Sequence, residues 1–219
     1  MKRLFFFSAI ILLLGCRDNA EEKVTPPQPE LLQQPYGTAY TLTDSQKFIY
    51  DHTALPEITV EMNAAEWNKF LNYYDQNPNN EEYVSGKFTF LKNGTTEILD
   101  NIGIRLKGNT SRRRPEGNSG EIHNSTNPDW HHASFTVSFK KFNKTQLFHQ
   151  SEKLVLKWFK DDAMYAREVF SYDLFEKFGV WTAPQSSYCR LTIKITGDAK
   201  AAYFGVYQLQ EPVDDVYLA

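Results

Sequence analysis

Ile102-Gly103-Ile104-Arg105-Leu106-Lys107-Gly108-Asn109-Thr110-Ser111-Arg112-Arg113-Arg114 reads as a strand that breaks into a basic turn. Ile102, Ile104 and Leu106 alternate with Arg105 and Lys107, the period of two that buries one face of a β-strand and leaves cations on the other. Gly108 ends the alternation, and Asn109, Thr110 and Ser111 form a polar turn ahead of three arginines. Such a turn suits an anion cradle, because backbone N–H groups and hydroxyls converge there. The same residues also describe a strand leaving the core into a solvated basic loop.

Upstream, Glu57–Met62 reads as a strand. Asn63 with Glu66 resembles a capping box opening a helix that carries Trp67, Phe70 and Leu71. Ser85–Leu91 and Thr95–Leu99 flank Lys92-Asn93-Gly94, a hairpin signal, and Ile102–Lys107 adds a third strand. Downstream, the polar residues Glu116–His132 read as a long loop. Ala133–Phe142 alternates Phe135, Val137 and Phe139 with Thr136, Ser138 and Lys140. Lys153–Trp158 is a further strand. Asp161 or Asp162 then caps a helix through about Phe178, whose Ala166, Phe170, Leu174 and Phe178 form one apolar stripe. Gly179 ends it, and Tyr188–Ile195 with Ala202–Gln210 makes a last hairpin around Gly197-Asp198. The sum predicts an α+β fold, a mostly antiparallel sheet with two packed helices.

The composition suits that reading. In 219 residues, 41% hydrophobic and 15% aromatic, there is enough apolar side chain for one folded, β-rich domain. A net charge of −3 and an isoelectric point near 6.0 exclude a general nucleic-acid binder, which needs a clear basic excess. The Arg112–Arg114 run is therefore local.

Met1-Lys2-Arg3 and the apolar run Leu4–Leu14 form a signal-like n-region and h-region. The run is shorter than the roughly 20 residues of a membrane-spanning helix. It ends Leu13-Leu14-Gly15-Cys16, which looks like a bacterial lipobox. Residues 1–16 thus read as a lipoprotein signal peptide with Cys16 as the lipidation site. Residues 17–45, with Pro26, Pro27, Pro29 and Pro35 among Gln and Glu, read as a tether, and 46–219 as the domain. Acyl chains at about 0.8 kcal/mol per buried methylene would hold the mature chain to a membrane. The expected location is the cell envelope, lipid-anchored at the outer membrane. The acidic residues behind Cys16 resemble the surface-export signal of Bacteroidetes-type lipoproteins. With Cys16 so used, Cys189 has no disulfide partner.

Few residues suit catalysis on their own. His131-His132 are adjacent, point apart and lack a third ligand at metal spacing, so a solvated loop is favoured over zinc. No Gly-x-Ser-x-Gly, Walker loop or His-Glu-x-x-His occurs. Asp161-Asp162 suits a helix cap better than a metal. Arg167-Glu168 on the amphipathic helix, after a strand bearing Lys157, says more. A helix carboxylate facing a strand lysine is how kinase-type sites hold that lysine against phosphates, although an ordinary surface pair uses the same residues. Glu211, ahead of Pro212, either receives a nucleotide's adenine or ribose through its backbone or ends the sheet.

In order, five stretches resemble the CotH kinase family of atypical protein kinases. They are Ile104–Ser111, Ser134–Phe142, Lys153–Lys157, Arg167-Glu168 with Phe178-Gly179-Val180, and Tyr203–Tyr207 with Glu211. The lipobox and Asp162–Glu168 look like the Bacteroidetes branch. The resemblance implies the N-terminal half of a kinase-like fold that binds ATP with Mg²⁺ and phosphorylates protein Ser/Thr. It implies that Arg105, Lys107 and the turn of Gly108, Asn109 and Ser111 neutralise phosphate. It also implies that Glu168 orients a lysine such as Lys157, and that Glu211 marks the linker to a second lobe. Two departures stand out. His131-His132 occupy the place where many members carry a lysine, so Lys140, Lys141 or Lys157 would substitute. The family's acidic metal-binding motifs belong to a C-terminal half that nothing here matches, so the expectation is an incomplete kinase domain. The alternative is a non-catalytic surface lipoprotein, a binding or scaffold module using the loop of Trp130 and Arg112–Arg114.

Overall fold

The computed structural model describes residues 43–180 and 182–213. The expected signal peptide, Cys16, nearly all of the tether and Asp214-Asp215 lie outside them. The chain divides into two compact units between Glu30 and Leu31, the first wholly outside the described residues.

Order begins inside the segment read as tether. Thr43 caps α1 (Asp44–Tyr50) with a full capping box, its hydroxyl accepting from the Gln46 amide while the Gln46 side chain accepts from the Thr43 amide. Lys92, fully buried, closes the other end of α1. Its Nζ donates to the carbonyls of Phe48 (2.7 Å) and Asp51 (3.0 Å) and pairs with the Asp51 carboxylate, a cation where the helix dipole favours one. β1 (Glu57–Asn63) buries Ile58, Val60 and Met62 on one face. Asn63 caps α2 (Ala64–Gln76) by accepting from the Glu66 amide at 2.8 Å. The Glu66 carboxylate leaves the cap and accepts from the Ser85 amide instead, tying α2 to β2 (Val84–Lys92).

Asn93 and Gly94, at φ of 52° and 77°, turn β2 into β3 (Thr95–Lys107), the two-residue turn an Asn-Gly pair specifies. The two strands expected between Thr95 and Lys107 are one. Gly86 pairs with Ile102 and Phe88 with Leu99, so Asp100 and Asn101 oppose Lys87 alone in a bulge, with Asn101 at φ 55°. β4 (Ser134–Ser138) is shorter than expected, and β5 (Lys153–Lys157), α3 (Arg167–Lys177), β6 (Ser186–Thr196) and β7 (Ala202–Gln210) follow.

The expected mostly antiparallel sheet with two packed helices is not what forms. The seven strands close into a barrel in the order β1-β2-β3-β4-β5-β7-β6, and the closing pair, β1 with β6, is parallel from Glu57–Arg190 to Asn63–Thr196. Closure joins residues more than a hundred apart, which no local pattern announces. Among the described residues three short helices replace two. α2 seats Trp67, Phe70 and Leu71 in the core, whereas α3 buries Val169 alone among its residues. The stripe expected to pack α3 is turned out, with Phe170 64% and Phe178 47% exposed.

The barrel interior is continuous. Ile104, Leu106, Phe135, Val137, Leu154, Leu156, Leu191, Ile193 and Leu209 are buried within one cluster. Its aromatics meet edge to face, as Phe88 does Phe139 and Phe148, both at 5.3 Å. Cys189 is a free thiol in this core, and burial pushes its pKa far up.

The loop between β3 and β4, read as solvated, is fastened from inside. Arg114 grips the Asp75 carboxylate through two nitrogens (2.8 and 3.0 Å) and donates to the carbonyls of Glu116 and Glu121. His123 bridges two buried carboxylates, Glu116 through Nδ1 (2.9 Å) and Asp198 through Nε2 (3.0 Å). Trp67 Nε1 adds a bond to Glu116 at 2.6 Å. Burial works against the imidazolium, but hydrogen bonds to Asp198 and Glu116 outweigh it and raise the His123 pKa.

Candidate functional site

Arg105 pairs with Thr136, Thr136 with Val155, and Val155 with Gln210. These four form one cross-strand row over β3, β4, β5 and β7, facing away from Ile104, Val137 and Leu154. With Lys107, Lys153, Glu211, Pro212 and Val213 they line a cavity of about 280 Å³. The Thr136 hydroxyl, on a residue 4% exposed, has no hydrogen-bond partner among the described residues. A buried hydroxyl left unsatisfied costs about 1–3 kcal/mol, and Thr136 carries that cost at the wall of the cavity.

Lys107 makes no hydrogen bond or ion pair among the described residues. Burial lowers its pKa, and the positive charges of Lys157, Arg105 and Arg112 push the same way, with Glu168 opposing. A cation so placed is stabilised by an incoming anion. Lys157 is held by Glu168, both carboxylate oxygens accepting from Nζ at 2.5 Å. The pair borders a second, smaller hollow of about 50 Å³ with Trp158, Asp162 and Gln208. The structure thus brings Arg105, Lys107, Glu211, Lys157 and Glu168 to one side of the barrel.

It separates others. The turn Gly108–Ser111 lines neither hollow. Gly108, at φ 110°, leaves no room for a side chain, since a Cβ would lie 2.5 Å from Ser111 Oγ. The turn is engaged through its carbonyls, Gly108 accepting from Arg112 Nε and Thr110 from Lys160 Nζ, while Asn109 is exposed. Arg105 is partly committed to Glu81 (3.2 Å) and the Tyr83 ring. Arg112 and Arg114 are spent on structure, the former on the carbonyls of Pro78 and Asn80 and on Glu81. Only Arg113 of the three is exposed. Trp130 leans on Trp67 and Phe204. Of the side chains that the scaffold reading relied on, Arg112, Arg114 and Trp130 are therefore engaged within the fold, while most of the loop's other residues are exposed.

Glu211 is buried, and its backbone and carboxylate both bond Gln185, closing the end of β7. His131 bonds the Arg114 carbonyl and Asp129, and His132 stacks on Trp158 at 5.1 Å. Among the described residues no group of three or more His, Cys, Asp or Glu is placed to hold a metal ion. Sequence reasoning missed Thr136 as a site residue, and it named Asp162 only as a helix cap. Thr136 carried a signal in its place on the polar face of an alternating strand, opposite Arg105.

A family model described as CotH kinase protein matches residues 104–219, from the middle of β3 onward. No curated protein matches the chain.

Proposed function

The chain belongs to the CotH kinase protein family, and from that premise we propose that the cationic cavity binds the phosphates of a nucleotide, ATP, in a kinase-like phosphotransferase. The observation that carries this reading is Lys107, a half-buried lysine without an acidic partner beside an orphaned Thr136 hydroxyl. Lys107 and Arg105 supply charge, Thr136 supplies a donor, and Glu168 holds Lys157 in a fixed place. Phosphoryl transfer asks mainly for such positioning and charge stabilisation. Bound ATP supplies the transferable phosphoryl group, and the acceptor is a Ser or Thr hydroxyl of a protein. The residues fit phosphate rather than metal, so Mg²⁺ would be held by the nucleotide's own phosphates. Lipidation of Cys16 would keep the protein in the cell envelope, and labelled fatty acid that still enters a Cys16→Ser variant would overturn that part.

Calorimetric titration of the full chain with ATP tests the cavity. Binding is expected to weaken with salt and to fall about tenfold in Lys107→Gln, the loss of one charged hydrogen bond. Because the Lys107 pKa is lowered, its cation is lost as pH rises at a lower pH than an ordinary lysine's, and affinity falls with it. No binding, or an unchanged affinity in Lys107→Gln, refutes the reading.

A further inference from the structure

The helix that carries Glu168 begins without a cap of its own. Its N-cap position is Ala166, at φ −128°, with no side-chain hydrogen bond, and Glu168 is only the second residue of the helix. Uncapped first turns fray because their amides lack partners. Here the Arg167 amide is satisfied from five residues back. Asp162 Oδ2 accepts it at 2.8 Å while Oδ1 accepts from the Met164 amide at 3.3 Å.

Bringing that carboxylate into place bends the chain sharply. Asp161 and Tyr165 sit at φ of 61° and 54°, a left-handed conformation that non-glycine residues adopt only when their surroundings hold them there. The surroundings do so from three directions. The Tyr165 ring stacks on Phe159 at 4.8 Å, its amide donates to the Asp162 carbonyl, and Arg167 Nη2 donates to the Asp161 carbonyl at 3.1 Å. Asp162 is 9% exposed, and its charge lies where the helix dipole favours an anion.

We propose that Asp162 is a positioning residue: it fixes the first turn of α3 so that Glu168 meets Lys157, without bonding to either. Its importance to activity rests on the nucleotide reading of that pair. The coupling itself does not, because it concerns only the contact between Lys157 and Glu168. Glu168 has no other hydrogen bond among the described residues, so a frayed first turn releases it directly.

The test is a double-mutant cycle on the full chain, read as the rate at which an amine-reactive acetylating reagent modifies Lys157, followed by mass spectrometry. Both Glu168 oxygens engage Lys157 Nζ, and an amine held in that contact is shielded from the reagent and slow to react. Glu168→Gln is expected to accelerate acetylation of Lys157, and Asp162→Ala to do so about fivefold, the factor matching a lost cap. The double variant is expected to react no faster than Glu168→Gln alone, because both act on one contact. Should Asp162→Ala not fold, Asp162→Asn serves, since its amide keeps an oxygen for one N–H and an intermediate rate is expected. An unchanged Lys157 rate in a folded Asp162 variant overturns the proposal. So do effects that multiply in the double variant, since Asp162 would then act apart from Glu168. ATP binding is measured separately: a non-additive cycle in a chain that binds no ATP sustains the positioning role and removes the nucleotide reading.

Discussion

Replacing His123 by methionine keeps roughly the volume of the side chain and removes both of its donors and its charge. Two carboxylates are left facing each other in the interior, their side chains 3% and 8% exposed. Glu116 keeps Trp67 Nε1 and the Asn124 amide, but the Asp198 carboxylate keeps no other hydrogen bond among the described residues. Breaking a buried ionic contact by removing one partner costs about 3–5 kcal/mol. For a unit of this size each kcal/mol moves the melting temperature by about 2–4 °C, so the expected drop is roughly 6–20 °C. The pH dependence has a definite sign. The folded pKa of His123 is raised above its ordinary 6.5, so the clamp contributes fully below that value and is withdrawn as pH rises through the folded pKa. Thermal unfolding followed by circular dichroism at about pH 6 and about pH 9 should show the wild type and variant far apart at the first and closer at the second. A loss below about 1 kcal/mol, or a gap that ignores pH, would show that the imidazole is neutral and the clamp is not ionic.

Arg114→Lys should lower stability by about 2–3 kcal/mol in denaturant titration, because a lysine cannot hold both Asp75 oxygens and two loop carbonyls at once; retention of full stability would refute the fastening role of Arg114. On α3 the exposed and buried neighbours should diverge. Val169→Ala should cost roughly 1.6 kcal/mol for two methylene equivalents, while Phe170→Ser should stay within about 0.5 kcal/mol in the same titration. A large loss from Phe170→Ser would mean that the helix packs by the stripe its sequence advertises.

What the sequence disclosed was local. Strand alternation placed Arg105 and Lys107 on one face because a pleated strand has no other way to hide Ile104 and Leu106. Asn93-Gly94 announced its turn because few residues accept positive φ twice. The order of five short stretches pointed to the family that the match over residues 104–219 shows. What stayed hidden was long-range or displaced. Asp162 reads as an ordinary helix cap, yet it works from five residues before the helix. The Phe170–Phe178 stripe obeys helical spacing, but spacing cannot say whether a face meets this core. His123 looked solvated because its two acids lie 7 and 75 residues away, and Arg112–Arg114 looked like an anion patch because its carbonyl and carboxylate partners come from α2 and from turns.

The parallel seam between β1 and β6 also governs how the barrel can be made. β2 and β3 can zip as a hairpin soon after they are synthesised, since closing a short loop costs little entropy. β1 gains its second neighbour only when Arg190–Thr196 has arrived, and contacts of such sequence separation slow folding. Until then the apolar face of β1 has one flank unpaired, an edge open to intermolecular pairing. Refolding from denaturant should therefore show an early phase in the β2–β3 region and a later one in which amides of β1 and β6 gain exchange protection together.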